Sequence, residues 1–357
     1  MAMCGQVQAA ARDTLVGLAR RVPILPGGEV LCFLDIDSML RRVYGKKKQG
    51  IGFGHAKVGG YQVWLRGYHP LITTLSTPLA APVIAGTRLR AGNAGSARGA
   101  ASQIAEAITT ARACGATGDI VVRADSAFYA KTVIAACRRQ NVRFSLTTRI
   151  DAKIRAACER ISEDQWIDIR YPQAVYDEDT GRWISDAQIA ETRYTAFEGS
   201  RHALTARLIV RRIRRDDPAQ IPGQGELLPQ YRYHTVFTDS PFTLVQAESQ
   251  HRGHAIIEQV NADLIAGPLA HLPSGRFAAN DAWLACAAIA HNLTRAAGHL
   301  AGGDHVAARP ASIRSRVITV AARLAHRARR IHLHLPEHWP WQAAFDNLFT
   351  AVHAPPG

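Results

Sequence analysis

An α/β fold built on a mixed sheet, interrupted by a β-rich insertion, is what the order of segments predicts. Three observations carry this. Val30 to Ile36 reads as a buried strand, apolar apart from Asp35. Between residues 30 and 149 the segments then alternate as three strands, helix, strand, helix, strand. From Ile150 to about Tyr233 the texture changes to short alternating runs that suit antiparallel strands.

Residues 1–26 hold one helical pattern, Val7 to Val22, ended by Pro23 and Pro26 and too short for a domain. After the first strand comes Arg41 to Lys57, a basic stretch containing Gly50, Gly52 and Gly54. Those glycines match neither the P-loop nor the dinucleotide spacing. A mobile hairpin beside the strand is expected instead, with Lys46, Lys47 and Lys48 in reach of phosphate. His69–Ser76 and Pro82–Arg90 read as strands. Gly92, Asn93 and Gly95 make a loop, and Ser96 or Ser102 caps a helix reaching about Cys114. Asp119–Ala124 is a strand, Phe128–Gln140 a helix and Arg143–Arg149 a strand. Within the insertion, strands are expected over Trp166–Tyr171, Tyr194–Phe197 and Leu204–Ile213, with a turn at Asp177–Gly181 and a Pro/Gly loop at Asp216–Gly225. A strand over Tyr231–Phe237 precedes a helix over Thr243–Ile265, an Ala-rich helix over 281–300 and a strand-like run, Arg330–Leu335. The division predicted is a helical segment (1–26), a core (27–150 and 236–300) split by the insertion (151–235), and an arginine-rich tail (301–357).

Composition is globular, with 47% hydrophobic and 20% charged residues, but the net charge is +14 and the pI about 10.0. Six of the 43 basic residues are lysine and the rest arginine, whose forked guanidinium matches phosphate oxygens. Codon bias in a GC-rich genome explains arginine over lysine, not the scarcity of acids, so a nucleic-acid partner is expected. The tail from His305 to Pro336 carries seven arginines, among them Arg323, Arg327, Arg329 and Arg330, and no acid. That pattern favours a phosphate-facing surface over a merely solvated one. The six cysteines are scattered without a Cys-x-x-Cys pair, which argues against a zinc ribbon or disulfide framework and for a reducing cytoplasm. No signal-peptide core and no long apolar run is present, so a soluble intracellular protein is expected.

The first strand carries Asp35 and Asp37, which a period of two places on one face. Buried carboxylates need a positive partner, and both acids are candidates for holding a metal. Asp125 follows the strand Asp119–Ala124, and Glu258 lies on the late helix. Carboxylates with substrate phosphate suit Mg²⁺, and two such ions can drive phosphodiester chemistry. Taken singly, each acid also fits a cap or an ion pair. His251 and His254 stand three apart on a helix, but a zinc site lacks a third ligand there, and phosphate contact or packing is the better reading. Trp166 or Trp183 could stack on an unpaired base, with core packing the better reading.

The block Leu34-Asp35-Ile36-Asp37-Ser38, the run Gly67-Tyr68-His69-Pro70-Leu71, Arg90-Ala91-Gly92-Asn93-Ala94, Val122-Arg123-Ala124-Asp125-Ser126-Ala127-Phe128 and the tail Leu333 to Trp341 resemble the DDE transposases of bacterial insertion sequences, in particular the insertion-sequence 1380 family. The resemblance runs from about residue 27 to 345, and its most specific piece is Arg-Ala-Asp-Ser-x-Phe. It implies a ribonuclease H-like fold with a β insertion ahead of the glutamate-bearing helix. It further implies that Asp37, before Ser38, is the first catalytic aspartate, Asp125 the second and Glu258 the glutamate, with Asp35 a neighbour of the metal site. Arg252, with His251 and His254, would contact DNA. Departures are Met39 for a usual Thr, His251 and His254 for a Tyr and an Arg, and Asn261 and Asp263 where a lysine is usual after the glutamate. Members usually begin with a longer helical segment, so this chain resembles a truncated copy or one starting at an internal Met. The implied activity is Mg²⁺-dependent cleavage (Mn²⁺ substituting) at inverted-repeat DNA ends and strand transfer to target DNA by a dimer or higher assembly on the bacterial nucleoid. A truncated or inactive copy that only binds DNA, and a ribonuclease H-like nuclease, are the alternative readings.

Overall fold

The computed structural model describes residues 2–45, 47–58, 61–169, 176–177, 182–183, 187–214 and 231–354. Its elements are α1 (Ala2–Ala19), β1 (Leu31–Ser38), β2 (Arg41–Arg42), β3 (Gly52–Val58), β4 (Tyr61–Tyr68), β5 (Leu71–Thr77), β6 (Ala80–Arg88), α2 (Ala100–Ala113), β7 (Asp119–Ala124), α3 (Lys131–Arg139), β8 (Arg143–Thr147), α4 (Ala152–Glu159), β9 (Ile167–Ile169), β10 (Tyr176–Asp177), β11 (Arg182–Trp183), β12 (Ala187–Ala196), β13 (Leu204–Arg214), β14 (Tyr231–Thr238), α5 (Leu244–Arg252), α6 (Ile256–Ala266), α7 (Phe277–Ala301), α8 (Pro310–Ile313), β15 (Arg323–Arg327), β16 (Arg330–His334) and α9 (Gln342–His353). The chain divides into two units, one of Met1–Arg98, Ser102–Ile120 and Ile256–Gly357, the other of Gly99–Ala101 and Val121–Ala255.

In the first unit, β1 pairs antiparallel with β5, and β5 with β6. Leu31 to Ile36 are all buried, the Asp35 carboxylate included, which is why the strand is apolar apart from its acids. The N–H groups of Gly118 and Asp119 donate to the carbonyls of Gly28 and Val30, so β7 starts beside the start of β1. Strand β6 is an edge, and its open backbone is paired by side chains of α7. Asn292 Oδ1 accepts from Ile84 N and its Nδ2 donates to Ile84 O, at 2.7 and 2.9 Å. Asp281 accepts from Leu89 N at 2.9 Å. An edge matched this way is closed to other strands. Helix α1 joins the same arrangement, because Gln8 donates to Asp281 and accepts from Thr87 Oγ1. The apolar core behind β5 and β6 gathers Ile72, Ile84, Leu89, Val260, Leu264 and Leu284. Each such side chain contributes roughly 1.5–3 kcal/mol by burial. A separate three-stranded sheet has the order β2-β4-β3.

In the second unit, β7 and β8 run parallel with Val121 opposite Arg143 and Ala124 opposite Leu146, the crossover being α3. Beyond β8 the pairing is antiparallel through β14, β13, β12 and β9. The sheet is therefore mixed, as expected. Helix α4, which was not expected, covers it by packing Ile154, Ala157 and Cys158 on Ala190, Leu208 and Val210. Trp166 packs on this cluster, and the Arg212 guanidinium lies 4.1 Å from its ring centre while pairing with Glu163. The predicted stretches 178–181 and 216–225 lie outside the described residues, as does the side chain of Trp183.

Two further differences have local causes. The helix expected over Thr243–Ile265 is broken by a 3₁₀ turn at Gly253–Ala255. A Cβ at Gly253 would lie 2.7 Å from Arg123 Nη1, so the break accommodates a buried guanidinium. In the tail, the expected strand β16 has a partner, β15, and a terminal helix α9 follows. Among the described residues no helix is long and apolar enough to cross a membrane.

Candidate active site

Asp35 and Asp37 sit on β1, opposite Thr74 and Ile72 of β5. Asp35 is fully buried, whereas Asp37 is half-buried near the strand's end. Both oxygens of Asp37 hold a donor. Oδ1 accepts from Ser38 N at 2.6 Å, and Oδ2 accepts from Asn261 Nδ2 at 2.8 Å. Asn261 is buried on α6, three residues beyond Glu258, so the two share a helix face. Glu258 is exposed in the first turn of α6, where the helix dipole favours an acid. Asn261 therefore ties the helix carrying Glu258 to the strand carrying Asp37. Its other atom, Oδ1, is buried without a hydrogen-bond partner. Because a carboxylate can only accept, Nδ2 must face Asp37, and Oδ1 is left as an open acceptor.

Arg90 adds positive charge to this neighbourhood. It is buried and donates to the carbonyls of His69, Gly95, Ser96 and Arg98, fixing the loop after β6. Burial, then Arg88 and Arg98, push its guanidinium down to about 10, while Asp37 pulls the other way. It stays charged at neutral pH. Ser38 Oγ donates to Ser96 Oγ at 3.1 Å, joining the same loop to the end of β1.

Asp125 directly follows β7. Its Oδ1 accepts from Ala127 N at 2.9 Å, capping the 3₁₀ turn Ser126–Phe128, and Phe128 is buried beneath. The residue before the strand's end, Arg123, donates to Gln250 O at the C-terminal end of α5, an arrangement the helix dipole favours. The Arg-Ala-Asp-Ser-x-Phe block thus consists of a buried cation, a cap and an apolar anchor. Asp35, Asp37 and Glu258 belong to the first unit and Asp125 to the second. Among the described residues no group of three His, Cys, Asp or Glu side chains is gathered as a metal cluster.

The predicted DNA-contacting residues fall into two kinds. His251 has both ring nitrogens engaged, 2.9 Å from Ser145 Oγ and Thr147 Oγ1. Arg252 Nε donates to both oxygens of buried Glu248 at 2.9 Å. His254 is half-buried in the 3₁₀ turn. Lys48 Nζ donates to Leu272 O at 2.5 Å. Each of the residues with a named partner anchors its own segment. Lys47, Arg323, Arg327, Arg329 and Arg330 are instead exposed, and Lys46 lies outside the described residues. Sequence reasoning named Asn261 only as a departure after Glu258 and Arg90 only within a resembling block, and gave neither a place at the site.

A family model described as Transposase DDE domain group 1 matches residues 29–355. The chain belongs to this family. The match covers both units and every element from β1 to α9. The mixed α/β architecture, with sheet strands flanked by helices, agrees with the ribonuclease H-like fold of DDE transposases. Membership places the protein among transposition and recombination enzymes, which generally use divalent metal ions. A comparison with curated proteins finds no match.

Proposed function

We propose that this DDE transposase belongs to an insertion sequence of the 1380 type, binds the inverted-repeat ends of its element, and cleaves and joins DNA strands with Asp37, Asp125 and Glu258 as catalytic carboxylates. The observation that carries the reading is the clamp on Asp37, whose carboxylate is held by one N–H on each oxygen and tied to the helix of Glu258. The donors fit a hard cation. Carboxylate oxygens suit such an ion, and Asn261 Oδ1 beside Asp37 is a buried acceptor with no hydrogen-bond partner. Asp37, Asp125 and Glu258 would hold Mg²⁺, or Mn²⁺ in its place, with Asp35 behind them. When bound, the ion supplies Lewis-acid activation of a phosphodiester and of the attacking hydroxyl.

The protein's own residues do the rest. Ser38 N and Asn261 Nδ2 fix the orientation of the Asp37 carboxylate before any ligand arrives, which lowers the ordering cost of binding. Ala127 N does the same for one oxygen of Asp125. The exposed arginines of β15 and β16 offer sequence-independent affinity for DNA phosphates. Strand transfer by a dimer or larger assembly on paired ends in the bacterial cytoplasm completes the reading.

The test uses purified protein and a DNA fragment carrying an element end. Wild type should nick it only with Mg²⁺ or Mn²⁺ and then join the freed 3′-hydroxyl to a second DNA, and Asp125→Ala should bind the fragment without cutting. If wild type and variant both bind and neither cuts, this copy is a DNA-binding protein. If wild type cuts without joining, it is a nuclease.

A further inference from the structure

The sheet of β2, β4 and β3 has two unlike faces. Pairing sets Gly52 opposite Gly67 and Gly54 opposite Leu65 on one face, and Phe53 opposite Arg66 and His55 opposite Trp64 on the other. The glycine face is seated on the molecule. A Cβ at Gly54 would collide with the Gly92 carbonyl, and one at Gly52 would press on Asn93 N at 3.0 Å. Side chains are excluded there by backbone against backbone. The alternation of the strand then turns Phe53, His55, Trp64 and Arg66 outward. Phe53 is 58% and Trp64 64% exposed. The base of the hairpin is fastened by Tyr68 Oη to Gln49 O at 2.6 Å and by Gln49 N to Gly275 O at 2.8 Å.

The outward face already holds paired groups, with the His55 and Trp64 ring planes tilted 45° to each other. His55 and Trp64 rings lie 3.8 Å apart, and the Arg66 guanidinium lies 5.9 Å from the Phe53 ring centre. Nearby, Arg42 lies 4.8 Å from the ring of exposed Tyr44. Not one Asp or Glu occurs between Asp37 and Glu106, while Arg41, Arg42, Lys46, Lys47, Lys48, Lys57 and Arg66 all do. Exposed aromatic rings interleaved with cations and free of acids complement a polyanion that carries flat rings.

We propose that this face of the β3–β4 hairpin is a stacking platform for unpaired bases of a DNA strand, with Trp64 and Phe53 as the base contacts and Arg66 beside them. It rests on the transposase reading and adds to it a preference for DNA with unpaired nucleotides. The absence of acid argues against a second copy of this basic chain as the occupant, since like charges would meet.

Binding in EDTA tests it apart from cleavage. The probes are a blunt duplex and a duplex of the same paired length with a three-nucleotide single-stranded overhang, both followed by fluorescence anisotropy. Wild type should favour the overhang by about tenfold. The double variant Phe53→Ala, Trp64→Ala should lose that preference with blunt-duplex affinity changed less than about twofold, and Trp64→Phe should keep most of it. The proposal is overturned if wild type shows no preference or the double variant retains it. It is also overturned if the double variant converts a wild-type dimer into monomers in sedimentation, which would assign the face to a second copy. Wild type that binds neither DNA would refute the transposase reading itself.

Discussion

Asp37, proposed above as a catalytic carboxylate, shows how neighbouring amides can orient an acid. Its Oδ1 accepts from Ser38 N and its Oδ2 from Asn261 Nδ2, while the buried Arg90 guanidinium attracts the same group. Asn261→Ala removes the donor on Oδ2 and the tie between α6 and β1. Partners of this kind typically set 10–100-fold in metal affinity. The variant should therefore bind Mn²⁺ about 10–100-fold more weakly by electron paramagnetic resonance titration, with its circular dichroism spectrum unchanged. Equal Mn²⁺ affinity in both proteins would remove Asn261 from the site. At this scale the placement of Asp35 and Asp37 on one buried strand was legible, because the apolar residues around them set the strand. Asn261 was not, since its partner is 224 residues away and an asparagine in a helix signals nothing alone. For His251, Arg252 and Lys48 the internal partners were not legible. Their partners Ser145, Thr147, Glu248 and Leu272 are tertiary neighbours that no local pattern announces.

The elements that frame the site are held by polar groups inside apolar surfaces, and α7 is the clearest case. Asn292 copies the hydrogen bonding of a neighbouring strand along β6, and His291 sits beside it, buried, with Nε2 3.1 Å from Pro82 O. A carbonyl only accepts, so Nε2 carries the proton, and Nδ1 is buried without a partner. Burial lowers this imidazole to about 4. In the unfolded chain it titrates near 6.5, so between about 6.5 and 4 the unfolded state binds a proton the folded state refuses. Stability is then fully present above 6.5 and is lost as pH falls toward 4. The contribution lost between pH 7 and pH 5 is about 2 kcal/mol. His291→Gln keeps an N–H for Pro82 and should flatten that part of the acid-side loss in urea unfolding, and a variant as acid-sensitive as wild type would exclude His291 as the cause. The helix itself was legible from its alanine-rich apolar spacing, as were the strands from β5 to β8. The break at Gly253 was not, because it answers to Arg123, and α4 was too short to stand out from the strand-like runs around it.

Among the described residues the arginines divide into internally committed and exposed ones, and the exposed ones are the candidates for DNA contact. Many of them are committed internally: Arg90 to loop carbonyls, Arg123 to the end of α5, Arg212 to Glu163, and Arg295, fully buried, to the carbonyls of Val306 and Ala308. Composition pointed to a polyanion, which the family membership also implies, but could not separate these from the exposed set. The hairpin of β15 and β16 does so by register. Arg323 faces His334 and Arg327 faces Arg330 on one side, while Leu324 faces Leu333 on the other. Its two-residue turn holds Ala328 and Arg329 at φ 48° and 65°, the left-handed pair that matches the twist of two strands. A basic ribbon face of this width fits a DNA groove or backbone. Each phosphate neutralised adds about 0.9 to the slope of log affinity against log salt. Replacing Arg323, Arg327 and Arg330 together with serine should thus lower that slope by up to about 3 on duplex DNA of any sequence. The same three changes should leave the preference for an unpaired overhang intact, because that preference is assigned to the β3–β4 hairpin. A slope equal to that of wild type would mean that the tail hairpin stays off the DNA and that the arginines elsewhere on the surface carry the non-specific affinity alone.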